Sequence, residues 1–272
     1  MRLEPDHPPG AGAPLAAPVL QASGLAYAHA GSPPVFEGVD LQVRAGEIVC
    51  LLGGSGCGKS TLLRVLSGLA EPQRGELAFL GQRLLQPHPR AALLFQQPGL
   101  LPWLNVARNV GFGLDFRHQP ALTPTAQQAR VQRALQAVGL AHASHLRPAQ
   151  LSGGMAQRVA LARAMAREPL LLLADEPFSA LDAITRVQMQ DLLVDVVHRW
   201  RSAALLVTHD IDEAIALADR IVLMAASAPG QPARLLREWA VPLARPRLAS
   251  RDASAALRQD ILLALHTPGA PS

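Results

Sequence analysis

Lysine is almost missing from this 272-residue chain: of 25 basic residues only Lys59 is a lysine, and the rest are arginine. Cysteine is nearly as scarce. Cys50 and Cys57 are the only two, which excludes a secreted disulfide framework and a cysteine metal site and fits a reducing cytosol. Long apolar runs are also lacking. Those present, such as Leu170 to Ala174, fall far short of the roughly 20 residues that cross a bilayer, so any membrane connection is expected through a partner. The first stretch, Met1 to Pro18, is rich in Pro, Ala and Gly and contains Glu4 and Asp6. It has no apolar run of the signal-peptide kind and reads as a flexible tail, residues 1–18. Runs of like charge are absent too. The net charge of +4 and pI near 10.0 come from scattered arginines, which predicts a solvated basic surface and no nucleic-acid partner. With 49% hydrophobic residues, the chain can bury a sizeable core as one large α/β domain or two smaller ones.

The solitary lysine lies in Gly-Gly-Ser-Gly-Cys-Gly-Lys-Ser-Thr, residues Gly53, Gly54, Ser55, Gly56, Cys57, Gly58, Lys59, Ser60 and Thr61. This matches the phosphate-loop pattern G-x-x-x-x-G-K-[ST], with a strand-like run (Glu47 to Leu52) before it and an apolar helical pattern (Leu62, Leu63, Val65, Leu66) after it. Glycines let the backbone curl around phosphate oxygens. Lys59 supplies a point charge to the β- and γ-phosphates, and the Ser60 hydroxyl suits Mg²⁺.

A second motif narrows the chemistry. Leu170 to Pro177 reads Leu-Leu-Leu-Leu-Ala-Asp-Glu-Pro, a buried parallel-strand pattern that delivers two carboxylates at its carboxyl end, where α/β sites assemble. Asp175 is placed for the Mg²⁺ shell. Glu176, facing differently, is placed to polarise an attacking water.

Leu-Ser-Gly-Gly-Met (Leu151 to Met155) looks like half of a phosphate site: a serine at a helix start, two glycines, and no lysine. It ends 20 residues before Asp175 and is joined to it by a helical pattern (Val159, Leu161, Ala162, Met165, Ala166) expected to be amphipathic. This order of motifs resembles the ATP-binding subunits of ABC transporters, from about Leu20 to Leu265. The resemblance implies a P-loop NTPase ABC ATPase domain at residues 19–250, with a RecA-like core, an antiparallel β subdomain and a helical signature subdomain at about 100–169. It also implies a head-to-tail homodimer with ATP and Mg²⁺ between the subunits, in which Ser152, Gly153 and Gly154 cap the γ-phosphate held by the opposite chain. On the residues alone, Ser152 also reads as a plain helix N-cap.

The resemblance assigns further roles. Tyr27, the one tyrosine, stands where the family stacks a ring on adenine, though it also reads as an ordinary core or surface residue. Gln96 resembles the glutamine linking Mg²⁺ and the attacking water to the membrane subunit, while the adjacent Gln97 departs from the acidic residue often found there. Ser179, Ala180, Leu181 and Asp182 resemble the loop crossing the dimer seam; an ordinary turn into a helix at Ile184 to Trp200 fits them as well. Of nine histidines, His209 follows the strand Ala203 to Thr208 and resembles the switch histidine that acts with Glu176 on the γ-phosphate.

The coarse architecture expected is antiparallel strands and the phosphate-loop unit from Leu20 to Gly81, and parallel strands at Ala92 to Gln96 and Leu170 to Asp175. Helices follow from Leu100 to Pro169, and a C-terminal helix and tail occupy 251–272, where Leu257, Ile261, Leu262 and Leu265 form a stripe. Pro98 to Val110 is expected to expose Leu100, Leu101 and Trp103, either as a groove for a permease's coupling helix or as a local core. Leu-Leu-Pro-Trp, Asp-Glu-Pro-Phe-Ser-Ala-Leu-Asp and Arg-Pro-Arg (Arg245 to Arg247) resemble the nitrate, sulfonate and taurine importer group. The resemblance thus implies an integral membrane permease, an indirect substrate-binding protein outside the membrane, and a peripheral position on its cytoplasmic face. A soluble ABC ATPase acting on ribosomes or DNA is the alternative class. It is disfavoured because each motif occurs once and no sustained heptads appear.

Overall fold

The computed structural model describes residues 17–266 apart from 117, 229, 246 and 248–250. Strands β1 (Pro18–Ala28), β2 (Pro34–Arg44) and β3 (Ile48–Leu52) lead into helix α1 (Lys59–Leu66). Strands β4 (Arg74–Phe79), β5 (Gln82–Arg83) and β6 (Ala91–Leu94) follow. Three helices come next: α2 (Val106–Gly111), α3 (Pro124–Ala137) and α4 (Gly153–Ala166). The chain continues through β7 (Leu171–Asp175), α5 (Ala183–Trp200), β8 (Ala203–Thr208) and α6 (Ile211–Leu217). It then forms β9 (Arg220–Ala226), β10 (Ala233–Ala240) and α7 (Arg251–His266).

The strands join in one sheet ordered β5-β4-β1-β2-β10-β9-β3-β8-β7-β6. Strands β6, β7, β8, β3 and β9 pair in parallel; β1, β2, β4 and β5 pair antiparallel. The two parts meet where β10, antiparallel to β9, touches β2 through the single pair Ala233 and Phe36. Arg220 stitches this seam, donating to Gln42 O, Glu47 and Glu238.

Alternation along β3 explains the layers. Ile48, Cys50 and Leu52 face one core with buried residues of α2 to α7, while Val49 and Leu51 face another with α1, β1 and β2. Burial on both sides accounts for the unbroken apolar character of β3, β7 and β8. The parallel strands end together at one edge, so the segments after β3, β6, β7 and β8 converge there.

Several boundaries differ from the sequence expectations. Pro18 begins β1 rather than closing the tail; residues 1–16 of that tail, and 267–272 at the other end, lie outside the described residues. Strand β6 stops at Leu94, leaving Gln96 in the following loop. Helix α4 is not amphipathic: Gln157, Val159 to Ala162 and Ala164 to Ala166 are all buried, because sheet and helices enclose it. Of the C-terminal stripe, Ile261 is buried and Leu257 and Leu265 pack against the core, but Leu262 is exposed, one residue and thus about 100° further round the helix. Leu100 packs against the core and Trp103 alone of the three expected residues is exposed, at 68%. The Arg-Pro-Arg segment has a structural task. Arg245 donates to Ala216 O and Leu217 O, Arg247 bonds Ala218 O, and both pair with Asp219, so they satisfy the carbonyls at the end of α6.

Candidate active site

The loop between β3 and α1 is shaped by its glycines. Gly56 and Gly58 sit at φ of 79° and 96°, where side chains are strained. At Gly53 a Cβ would lie 2.3 Å from Met224 O and 2.9 Å from the Cys57 sulfur, so only glycine fits against β9. Lys59 opens α1, is buried, and donates its Nζ to Gly53 O at 2.8 Å and Gly54 O at 2.7 Å. No side chain caps α1, so its first N–H groups and positive dipole end are left to an incoming anion.

Across the sheet edge, Ser60 Oγ donates to Asp175 Oδ1 at 3.0 Å. Burial pushes the Asp175 carboxyl up from its ordinary value, and the Ser60 bond partly holds it down. A hydroxyl and one carboxylate are hard oxygen donors suited to Mg²⁺, whose other ligands are phosphates and water. The described residues contain no group of three or more His, Cys, Asp or Glu that could hold an ion by themselves. Glu176 follows at φ 43°, a backbone region costly for a non-glycine residue. Its N–H bonds Val207 O, and this turn aims the side chain away from Asp175's and toward His209, whose Nδ1 is 3.0 Å from Glu176 Oε1. Gln96 reaches the same place from the β6 loop: its Nε2 donates to Ser179 Oγ at 3.1 Å, and that hydroxyl donates to Glu176 O.

The structure therefore brings Lys59, Ser60, Asp175, Glu176, His209 and Gln96 to one edge. It leaves the Leu-Ser-Gly-Gly segment apart from them. Ser152 is exposed at the start of α4, where its hydroxyl accepts from Met155 N–H as an N-cap. Gly154 is held close to α5: a Cβ there would stand 2.4 Å from Thr185 Cγ2. Asp182 caps α5 through Thr185 N–H, a bond that holds its carboxyl below the ordinary range. Tyr27 lies half-buried on β1, stacked 6.1 Å from Phe36, with His29 edge-on at 5.3 Å.

Three residues escaped the sequence reading. Buried Gln157 on α4 donates to Pro177 O at 2.7 Å, just after Glu176. Arg163 on the same helix donates to Pro98 O and Gly99 O beyond Gln96. Asn109, fully buried on α2, bonds Leu101, Leu104 and Asn105. Polar residues inside apolar helical patterns were the available signal.

The ABC transporter family model matches residues 36–179, from β2 to the turn after Glu176. The chain belongs to that family and is an ATP-binding, ATP-hydrolysing subunit of such a transporter. The aliphatic sulfonates import ATP-binding protein SsuB 2 of Burkholderia cenocepacia is 46% identical over 263 residues, covering 97% of this chain and 92% of the relative. The bicarbonate transport ATP-binding protein CmpC of Synechocystis is 44% identical over 213 residues, covering 78% of this chain and 32% of that longer protein. Among solved structures, the dimeric post-hydrolysis state of the ATP-binding cassette MJ0796 bound to ADP and Pi is 29% identical with a TM-score of 0.68, covering 82% of this chain and 98% of that one.

Proposed function

We propose that this subunit powers the import of a small oxidised anion, an aliphatic sulfonate or taurine, with nitrate as the second reading. The observation that carries it is the 46% identity over nearly the whole chain to a protein named for aliphatic sulfonate import. In this reading the active form is a homodimer with two ATP molecules at the seam, a general arrangement supported by the dimeric cassettes MJ0796. Residues 53–61 hold the phosphates, Lys59 exchanges its two loop carbonyls for phosphate oxygens, and Ser152, Gly153 and Gly154 close on the partner's ATP. Tyr27 stacks on the base, and Asp182 lies at the seam.

Ser60 and Asp175, with Gln96 nearby, would hold Mg²⁺, which when bound neutralises charge on the phosphate oxygens. Glu176, oriented by His209, takes the proton of the attacking water, and its unusual backbone fixes that aim. Arg163 and Gln157 tie the loop after Gln96 and the turn after Glu176 to the single helix α4. A permease segment docking by Trp103 would thus be felt at both ends of the site. The subunit sits peripherally on the cytoplasmic face of the membrane, beside that permease; no described helix is long and apolar enough to cross one. The helices at about 100–169 act as the signature-bearing subdomain, and an external binding protein delivers substrate to the permease.

Deleting the gene is expected to abolish growth on a sulfonate as sole sulfur source and to spare growth on sulfate. Normal growth on sulfonates with loss of nitrate uptake would replace the substrate and keep the motor.

A further inference from the structure

Behind Glu176 lies a cavity of about 90 Å³, lined by Glu176, Ser179, Arg186, Thr208, His209, Asp210 and Glu213. Carboxylates, hydroxyls and a guanidinium share its lining with apolar surface, and it has room for several waters. Arg186 lines it as well, with its guanidinium 3.8 Å from Asp210 and donating to Leu181 O. Glu213 on α6 shares the lining with Glu176 and His209. It is 7% exposed, and no arginine or lysine forms an ion pair with it among the described residues.

We propose that Glu213 is a proton carrier for ATP hydrolysis, receiving through cavity water the proton that Glu176 takes from the attacking water. This rests on the reading of Glu176 as the base. Attack forms the new bond from water oxygen to the γ-phosphorus and breaks the bond to the bridging oxygen, whose electron pair leaves with ADP. The displaced proton sits on the Glu176 carboxylate, which cannot serve again until it is rid of it. Transfer through the cavity to the Glu213 carboxylate restores Glu176, and the proton then leaves past the exposed His209 side chain at the rim. Glu213 touches no reacting atom and acts through Glu176.

The surroundings suit the task. Burial raises the Glu213 carboxyl to about 7, near the pH at which a group both accepts and gives up a proton. Facing it are Thr208 of β8, Arg186 and Gln190 of α5, and Asp210 at its own helix start. The buried Cys50 lies on β3 beneath it, and on the α7 side Arg258 is engaged by Asp212. Asp210 opposes ionisation of Glu213. Arg186 and the Thr208 and Gln190 hydrogen bonds favour it.

Steady-state hydrolysis by the full chain between pH 6 and 9 tests the proposal. Wild-type turnover is expected to climb with pH through about 7, as Glu213 becomes free to accept. In Glu213→Gln, turnover at pH 8 should fall about tenfold with KM for ATP nearly unchanged, and the climb should disappear. Glu213→Asp should restore the climb at a displaced pH. A Glu213→Gln protein with wild-type turnover and an intact climb overturns the proposal; so does one that is slower yet keeps the climb, because that loss is structural. Glu176→Gln separates the two readings: its activity should be abolished whatever Glu213 does, and retained activity would remove Glu176 as base.

Discussion

Helices α1 and α4 both begin with glycine-rich turns, the two places proposed above to meet phosphate, yet they are built in opposite ways. At α1 the cap residue is Gly58, no side chain occupies the helix start, and a buried lysine stands ready with its own loop carbonyls as placeholders. At α4 the start is occupied by the Ser152 hydroxyl and is exposed, with no cation in the segment. A helix dipole alone is worth at most about 1 kcal/mol at an exposed end. An anion site of that kind becomes strong only when a lysine or metal is added, so in the proposed dimer α1 is a site in itself and α4 supplies the half that completes the partner's.

The comparison breaks first at Lys59. Lys59→Ala removes a charge-assisted partner worth roughly 1.5–3 kcal/mol for each bond, so hydrolysis should fall at least about a hundredfold. Near-normal turnover would show that α1 needs no lysine and erase the contrast. Mixed dimers sharpen it. Ser152→Arg in one chain with Lys59→Ala in the other puts both lesions in one composite site and should keep about half the activity. Both lesions in one chain opposite a wild-type partner strike both sites and should leave under about a tenth. Equal activity from the two arrangements would return Ser152 to plain capping. The smallest effect belongs to Gly154→Ala. The added methyl meets Thr185 Cγ2, a side chain that can rotate, so thermal unfolding should show a loss of about 1 kcal/mol. A loss several times larger would mean that α4 and α5 are locked more tightly than α1 is to its neighbours.

The phosphate loop was legible because its residues are chosen by backbone geometry: glycine where φ is positive, lysine at a fixed offset. Strands β3, β7 and β8 were legible because burial on both faces leaves only apolar residues. The family resemblance, the α/β fold and the ATP-binding role followed from the order of those motifs. Exposure was harder, since Leu100 and Trp103 are equally apolar on paper and differ only in what α2 and α4 bring near them. The role of Arg245 and Arg247 was invisible for the same reason: the carbonyls they satisfy end a helix that lies about 30 residues earlier in the chain. Glu213 carried no signal in the sequence, because its burial depends on α5 and β8 packing over it.

Lys59 bears the only side-chain amine in the chain, and that amine is buried and tied to two backbone carbonyls. The outer surface, cationic through arginine, offers acylating and imidate reagents no lysine to react with. Guanidinium groups stay protonated and inert under the conditions in which amines are labelled. Covalent tagging of this protein's lysine therefore works as a lock indicator: a mark at that one position records the moment the loop let its key go, with no other side-chain amine to share the label.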